Sequence, residues 1–136
     1  NYLANSALFL MGLGQEEEGL ALIEKALRWN PHHPGWYHIV PFLYHYYRGE
    51  YNTALIDANG FNTPDYFWDP LIRTAVLGQL GHQEEAETAR EELLALVPDF
   101  EPRGHSLIQR MVYLDENVDM LVEGLHKAGL ETQSEV

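Results

Sequence analysis

The chain has 136 residues, 46% of them hydrophobic, which is enough for one compact domain or a short repeat array and too apolar for a disordered segment. Asp and Glu number 21 against 8 Lys and Arg, and the net charge of −13 leaves no basic stripe for nucleic acid and disfavours an anionic membrane surface. Cysteine is absent, so disulfide and thiolate chemistry are ruled out and a cytoplasmic location is expected.

In chain order, the first apolar pattern runs from Tyr2 to Leu13 and predicts a helix. Its Leu8–Gly14 stretch is too short to span a bilayer and lacks a cationic flank. The chain opens at Asn1, without Met and inside a helical pattern, which reads as a piece of a longer protein. Gln15 to Asn30 predicts a second helix, with Leu20, Ile23, Ala26 and Leu27 on one face. Glu16, Glu17 and Glu18 fill its first turn and Lys25 and Arg28 come late, the order that the helix dipole favours. Helices follow over Gly35–Arg48, where Pro41 should kink the segment or shift its start, and from Tyr51 to about Asn59-Gly60. Asn62, Pro64 and Asp65 read as loop. Tyr66–Leu80 and Gln83–Val97 form the next pair, the latter with Ala86, Ala89, Leu93 and Leu96 inward. A closing pair is expected from about Pro102 to Tyr113 and from Glu116 to Ala128, stopped by Gly129.

These segments repeat. Gly14, Gly49 and Gly81 lie 35 and 32 residues apart, and each is followed five residues later by a small residue: Gly19, Ala54 and Ala86. A period near 34 residues is the mark of a helical repeat. Pro31 and Pro98 close two of the units.

On these residues the chain resembles the tetratricopeptide repeat family over roughly residues 1–100. Ala7, Gly14, Gly19, Ala26 and Pro31 match in the first unit, Gly49, Tyr51 and Ala54 in the second, and Leu77, Gly81, Ala86 and Pro98 in the third. The middle unit lacks its closing Pro, and Arg90 stands where a bulky apolar residue is usual. The resemblance implies an all-α fold: a right-handed superhelix of stacked antiparallel helix pairs, an α-solenoid of about 8 helices. Its units would be 1–33, 34–65 and 66–100, with capping helices over 101–130 and a disordered tail over 131–136. Val97-Pro98-Asp99-Phe100 and the later Glu123–Leu130 phrase further resemble the C-terminal repeat region of bacterial multidomain signalling proteins that often carry a class III nucleotide cyclase or a winged-helix regulator.

Chemistry-bearing patterns are sparse. His38 and His45 share a helix face and follow His32-His33, but three or four clustered ligands are needed for zinc, so no metal and no cofactor are expected. No phosphate loop or nucleophile elbow occurs, and the acidic runs sit at helix N-termini where the dipole accounts for them. The chain does not read as an enzyme. Aromatics, however, crowd the middle: Trp36, Tyr37, Phe42, Tyr44, Tyr46, Tyr47, Phe61, Tyr66, Phe67 and Trp68. Because the first helix of each pair lines the concave face in the resembled family, Leu8, Met11, His38, Phe42, His45, Tyr46, Trp68 and Ala75 are expected to face a groove. That surface would bind a peptide segment or a neighbouring domain as an interaction scaffold. It lacks the Lys, Arg and Asn set that clamps a C-terminal carboxylate in chaperone-binding members. The alternative is a regulatory domain of a larger signalling enzyme that works by self-association, with these aromatics packed together or buried in a homodimer.

Overall fold

The structure is a computed structural model that describes residues 2–132. It is all-helical, with α1 (Tyr2–Gly12), α2 (Glu16–Trp29), a 3-10 turn (Gly35–His38), α3 (Ile39–Tyr47), α4 (Tyr51–Phe61), α5 (Trp68–Leu80), α6 (Gln83–Leu96), α7 (Phe100–Gln109) and α8 (Asp115–Lys127). No helix among the described residues is long and apolar enough to cross a membrane. The expected boundaries shift by a few residues. Pro41 moves the start of α3 to Ile39, leaving Gly35–His38 as the tighter turn. Pro41, Pro70 and Pro102 each occupy the third position of their helix, where a missing N–H breaks no intrahelical bond.

Three turns share one backbone. Gly14, Gly49 and Gly81 adopt φ of +84°, +75° and +74°, a conformation that costs glycine little because it has no Cβ. The following residue in each turn, Gln15, Glu50 or His82, has φ between −88° and −82° and donates its N–H to Leu10, His45 or Leu77 respectively, at 2.9–3.1 Å. Its carbonyl then accepts from Gly19, Ala54 or Ala86 and opens the next helix. These small residues are buried where the two helices cross; a Cβ on Gly19 would lie 3.0 Å from the Ala7 carbonyl. The first and third units also end alike, at Asn30 and Val97, both with φ −133° and ψ 82°. The middle unit ends differently, on Asn62 at φ +47°.

Within each unit the two helices pack together, α1 on α2, α3 on α4 and α5 on α6, and α2–α3 and α4–α5 contacts join neighbouring units. The C-terminal segment departs from this plan. Instead of closing the stack at its end, it turns back across the first helix of every unit. Tyr113 donates its N–H to Gly12 O at 3.3 Å in α1, and the Tyr46 hydroxyl of α3 donates to Met120 O at 2.7 Å. Along α5, α8 lies so close that a Cβ on Gly124 would come within 2.5 Å of Ala75 O. Val118, Leu121 and Leu125 are its buried stripe. Arg90, the residue that broke the repeat pattern, donates from Nη1 to Ala128 O at 3.0 Å and satisfies the C-terminal end of α8. Of the expected tail, Glu131 bonds through its N–H to Glu101 and Thr132 sits against Gly104, whereas residues 133–136 lie outside the described residues.

Candidate partner-binding surface

The expected groove residues separate into three groups. Met11, Phe42, Tyr46, Trp68 and Ala75 are buried, each no more than 2% exposed. Tyr46 and Ala75 are covered by α8 at Met120 and Gly124, and Met11 lies against Gly19 of α2, so these side chains are core of the chain itself. Phe42 stacks on Tyr46 at 5.4 Å, and Gln79 Nε2 donates to the Tyr46 hydroxyl at 3.1 Å. Burial raises the Tyr46 phenol far above its ordinary pKa, against the opposing effect of the Gln79 hydrogen bond, so it stays a neutral donor. Periodicity cannot distinguish a helix face that meets a partner from one that meets the chain's own last helix. The clue is Gly78, two residues before the end of α5 and mirrored by Gly124 in α8, the small-on-small signature of close helix approach.

His38 and His45 form the second group, and they point towards α4 rather than into the groove. His45 Nδ1 donates to Asp57 Oδ2 at 2.8 Å. His38 lies against Gly60, whose Cβ, were it present, would sit 3.3–3.4 Å from the imidazole ring. Its Nε2 is 3.1 Å from Nε2 of His33, and His33 Nδ1 is 3.0 Å from Asn30 O. A carbonyl only accepts, so His33 carries its proton on Nδ1 and accepts at Nε2 from His38. Burial lowers the His38 pKa, the neighbouring His33 lowers it further, and Asp57 opposes both. Asp57 itself is raised by burial, with His45 and His38 acting against that. Among the described residues, no group of three or more His, Cys, Asp or Glu is placed to hold a metal ion.

Leu8 alone remains at an open surface. With Asn5, Trp36, Ile39, Phe61, Tyr66 and Met111 it lines a cleft of about 260 Å³ between α1, the 3-10 turn and the loop before α5. A second, shallower hollow continues from it past Phe9, Arg110 and Tyr113. Beside both runs the outer stripe of α1, where Tyr2 is 78%, Phe9 53% and Leu13 43% exposed. Phe9 meets the exposed Tyr113 edge-on at 6.1 Å. Residues at positions 2, 9 and 13 share one helix face. Nothing ionisable other than Tyr2 occurs along α1, in a chain of net charge −13. No family profile, curated protein or solved structure matches this chain.

Proposed function

We propose that the chain is a protein-interaction module of the tetratricopeptide type that docks a basic, amphipathic helical segment on α1 and the adjoining cleft. The repeat reading is supported by the three turns of one backbone geometry and by the matching ends of the first and third units. The location rests on one observation: exposed apolar side chains, Tyr2, Phe9, Leu13 and Tyr113, lie beside a cleft, and α1 itself carries no charged residue. At about 260 Å³ the cleft is small for a cofactor and suited to one bulky anchor side chain. Charge selects the rest of the ligand. The acidic chain repels acidic partners and a second copy of itself, and Glu16, Glu17 and Glu18 fill the first turn of α2, the helix that follows α1. Domain regulation in a larger signalling protein is compatible with the same surface, the docked helix then belonging to a neighbouring domain.

The test is titration by fluorescence anisotropy with labelled helical peptides bearing Leu or Phe anchors at i, i+4 and i+7 and Lys or Arg elsewhere. Phe9→Ala and Trp36→Ala should each weaken binding by about 2 kcal/mol, as hot-spot aromatics do. Equal binding by wild type and both variants, or a concentration-dependent dimer that protects α1 from hydrogen exchange, would replace docking with self-association.

A further inference from the structure

The contact between His33 and His38 is the element of the molecule that the docking reading does not use. It joins the turn after α2 to the end of the 3-10 turn through two imidazole nitrogens, 3.1 Å apart, that hold a single proton. Around it the packing is direct. His33 stacks on Tyr37 at 5.7 Å, Tyr37 meets Trp36 edge-on at 4.7 Å, and His38 lies on Gly60 in the last turn of α4. Gly35 presses on the Phe61 carbonyl so closely that no side chain would fit there. Trp36 and Phe61 are walls of the cleft.

We propose that the His33–His38 pair is a proton-operated latch that holds the cleft wall in place when the pair carries one shared proton and releases it when both rings are charged. The resting pair is neutral, with one N–H on Nδ1 of His33 and one on Nε2 of His38, so a first added proton charges one ring, which still donates to its neutral neighbour. A second added proton removes the last acceptor. It also puts two positive rings side by side. The charged group that faces the pair from α4 is Asp57, already engaged by His45 of α3, so compensation for the second charge is shared. Burial and the His33 ring hold His38 below 6.5, which keeps the latch closed at neutral pH. Opening frees the turn at residues 30–34 and the 3-10 turn from α4, and Trp36 moves with them. If the cleft is the docking site proposed above, the partner is released on acidification.

The experiment uses the free protein. Imidazole Hε1 and indole Nε1–H resonances are followed by NMR from pH 7.5 to 5.0, in wild type and in His33→Phe, which keeps the ring on Tyr37 and removes the acceptor. In wild type, His38 should titrate with a midpoint below 6.5 and the Trp36 indole should move with the same midpoint. In His33→Phe the Trp36 resonance should no longer follow pH, whereas the exposed-site control His82→Gln should behave as wild type. A Trp36 resonance that is flat in wild type, or that titrates unchanged in His33→Phe, overturns the latch. Because no ligand is present, peptides that fail to bind at every pH would remove the docking reading and leave a wild-type Trp36 titration, and the latch, standing.

Discussion

Tyr46 shows how one side chain can be an anchor for its own fold. Its ring fills the space between α3 and α5, and its hydroxyl donates to α8 while accepting from Gln79. Tyr46→Phe should cost about 1–2 kcal/mol by removing both hydrogen bonds of the hydroxyl, and Tyr46→Ala about 3–5 kcal/mol by opening a cavity. Chemical denaturation of the two variants checks this; an alanine variant as stable as wild type would return Tyr46 to a free surface. Ala86 is a second decisive position, since it is 1% exposed at the α5–α6 crossing. Ala86→Leu should destabilise by about 1–3 kcal/mol, whereas Glu87→Gln on the exposed side should stay within about 0.5 kcal/mol. Equal losses in the two melts would refute the crossing. For the histidines, two nitrogens around a shared proton are too few for a structural zinc site, so stoichiometric zinc or EDTA should leave Tm unchanged. The crossing residues were legible in the chain because glycine and alanine recur at a fixed offset from each turn. His38 was misplaced because a spacing of seven residues identifies a shared face without telling which neighbour that face meets.

At the scale of elements, α8 decides how much of α3 and α5 is covered. It is fixed along its length rather than at one point. Met120 receives the Tyr46 hydroxyl, Gly124 seats on α5, Lys127 donates to Gln79 at 2.8 Å, and Arg90 closes its C-terminus. Removing the last contact alone, in Arg90→Ala, should cost about 1 kcal/mol, the usual worth of a cation at a helix C-terminus. The loss should be local. Amide hydrogen exchange should quicken in α8 and stay unchanged in α1 and α2, since it is the connection before α8 that bonds α1, through Tyr113 N–H to Gly12 O. Uniform acceleration over all helices would show instead that α8 unfolds only with the whole chain. Gly124→Ala makes the harsher probe, because its Cβ would press on Ala75 O at 2.5 Å and on the Tyr46 hydroxyl. That variant should lose more than Arg90→Ala in the same denaturation series.

For the whole molecule, charge and protonation act in opposite senses. A net charge of −13 drives self-repulsion, so added NaCl should raise Tm at pH 7, and the gain should shrink as the pH approaches the pI of about 4.7. His38 works against that trend. Its folded pKa is lowered, so the unfolded chain binds more protons; the stability it contributes is present above 6.5 and is lost as pH falls from there through the lowered value. Asp57 has a raised folded pKa, so its protonation as pH falls through that raised value favours the fold. Thermal melts of wild type and of His38→Phe at 0.5 M NaCl, where repulsion is screened, isolate the histidine. The pH 7 to 5 decrease should be clear in wild type and reduced in the variant.

The helices, their turns and the repeat of the first three pairs were all written locally. A glycine that must take positive φ, a small residue five positions on and a proline after the second helix need only a few neighbours to exert their effect, so their spacing survives in the linear chain. The fate of the aromatic residues was not local. Phe42, Tyr46 and Trp68 have the same periodicity whether they meet solvent, a partner or the C-terminus, and the hydrophobic effect that buries them is non-directional. What distinguishes these outcomes is a long-range packing choice: Gly78 and Gly124, far apart in sequence, permit a backbone approach that draws α8 across the first helices. That approach covers Tyr46 and Ala75, expected to face a groove, and leaves exposed apolar side chains on α1 beside its cleft.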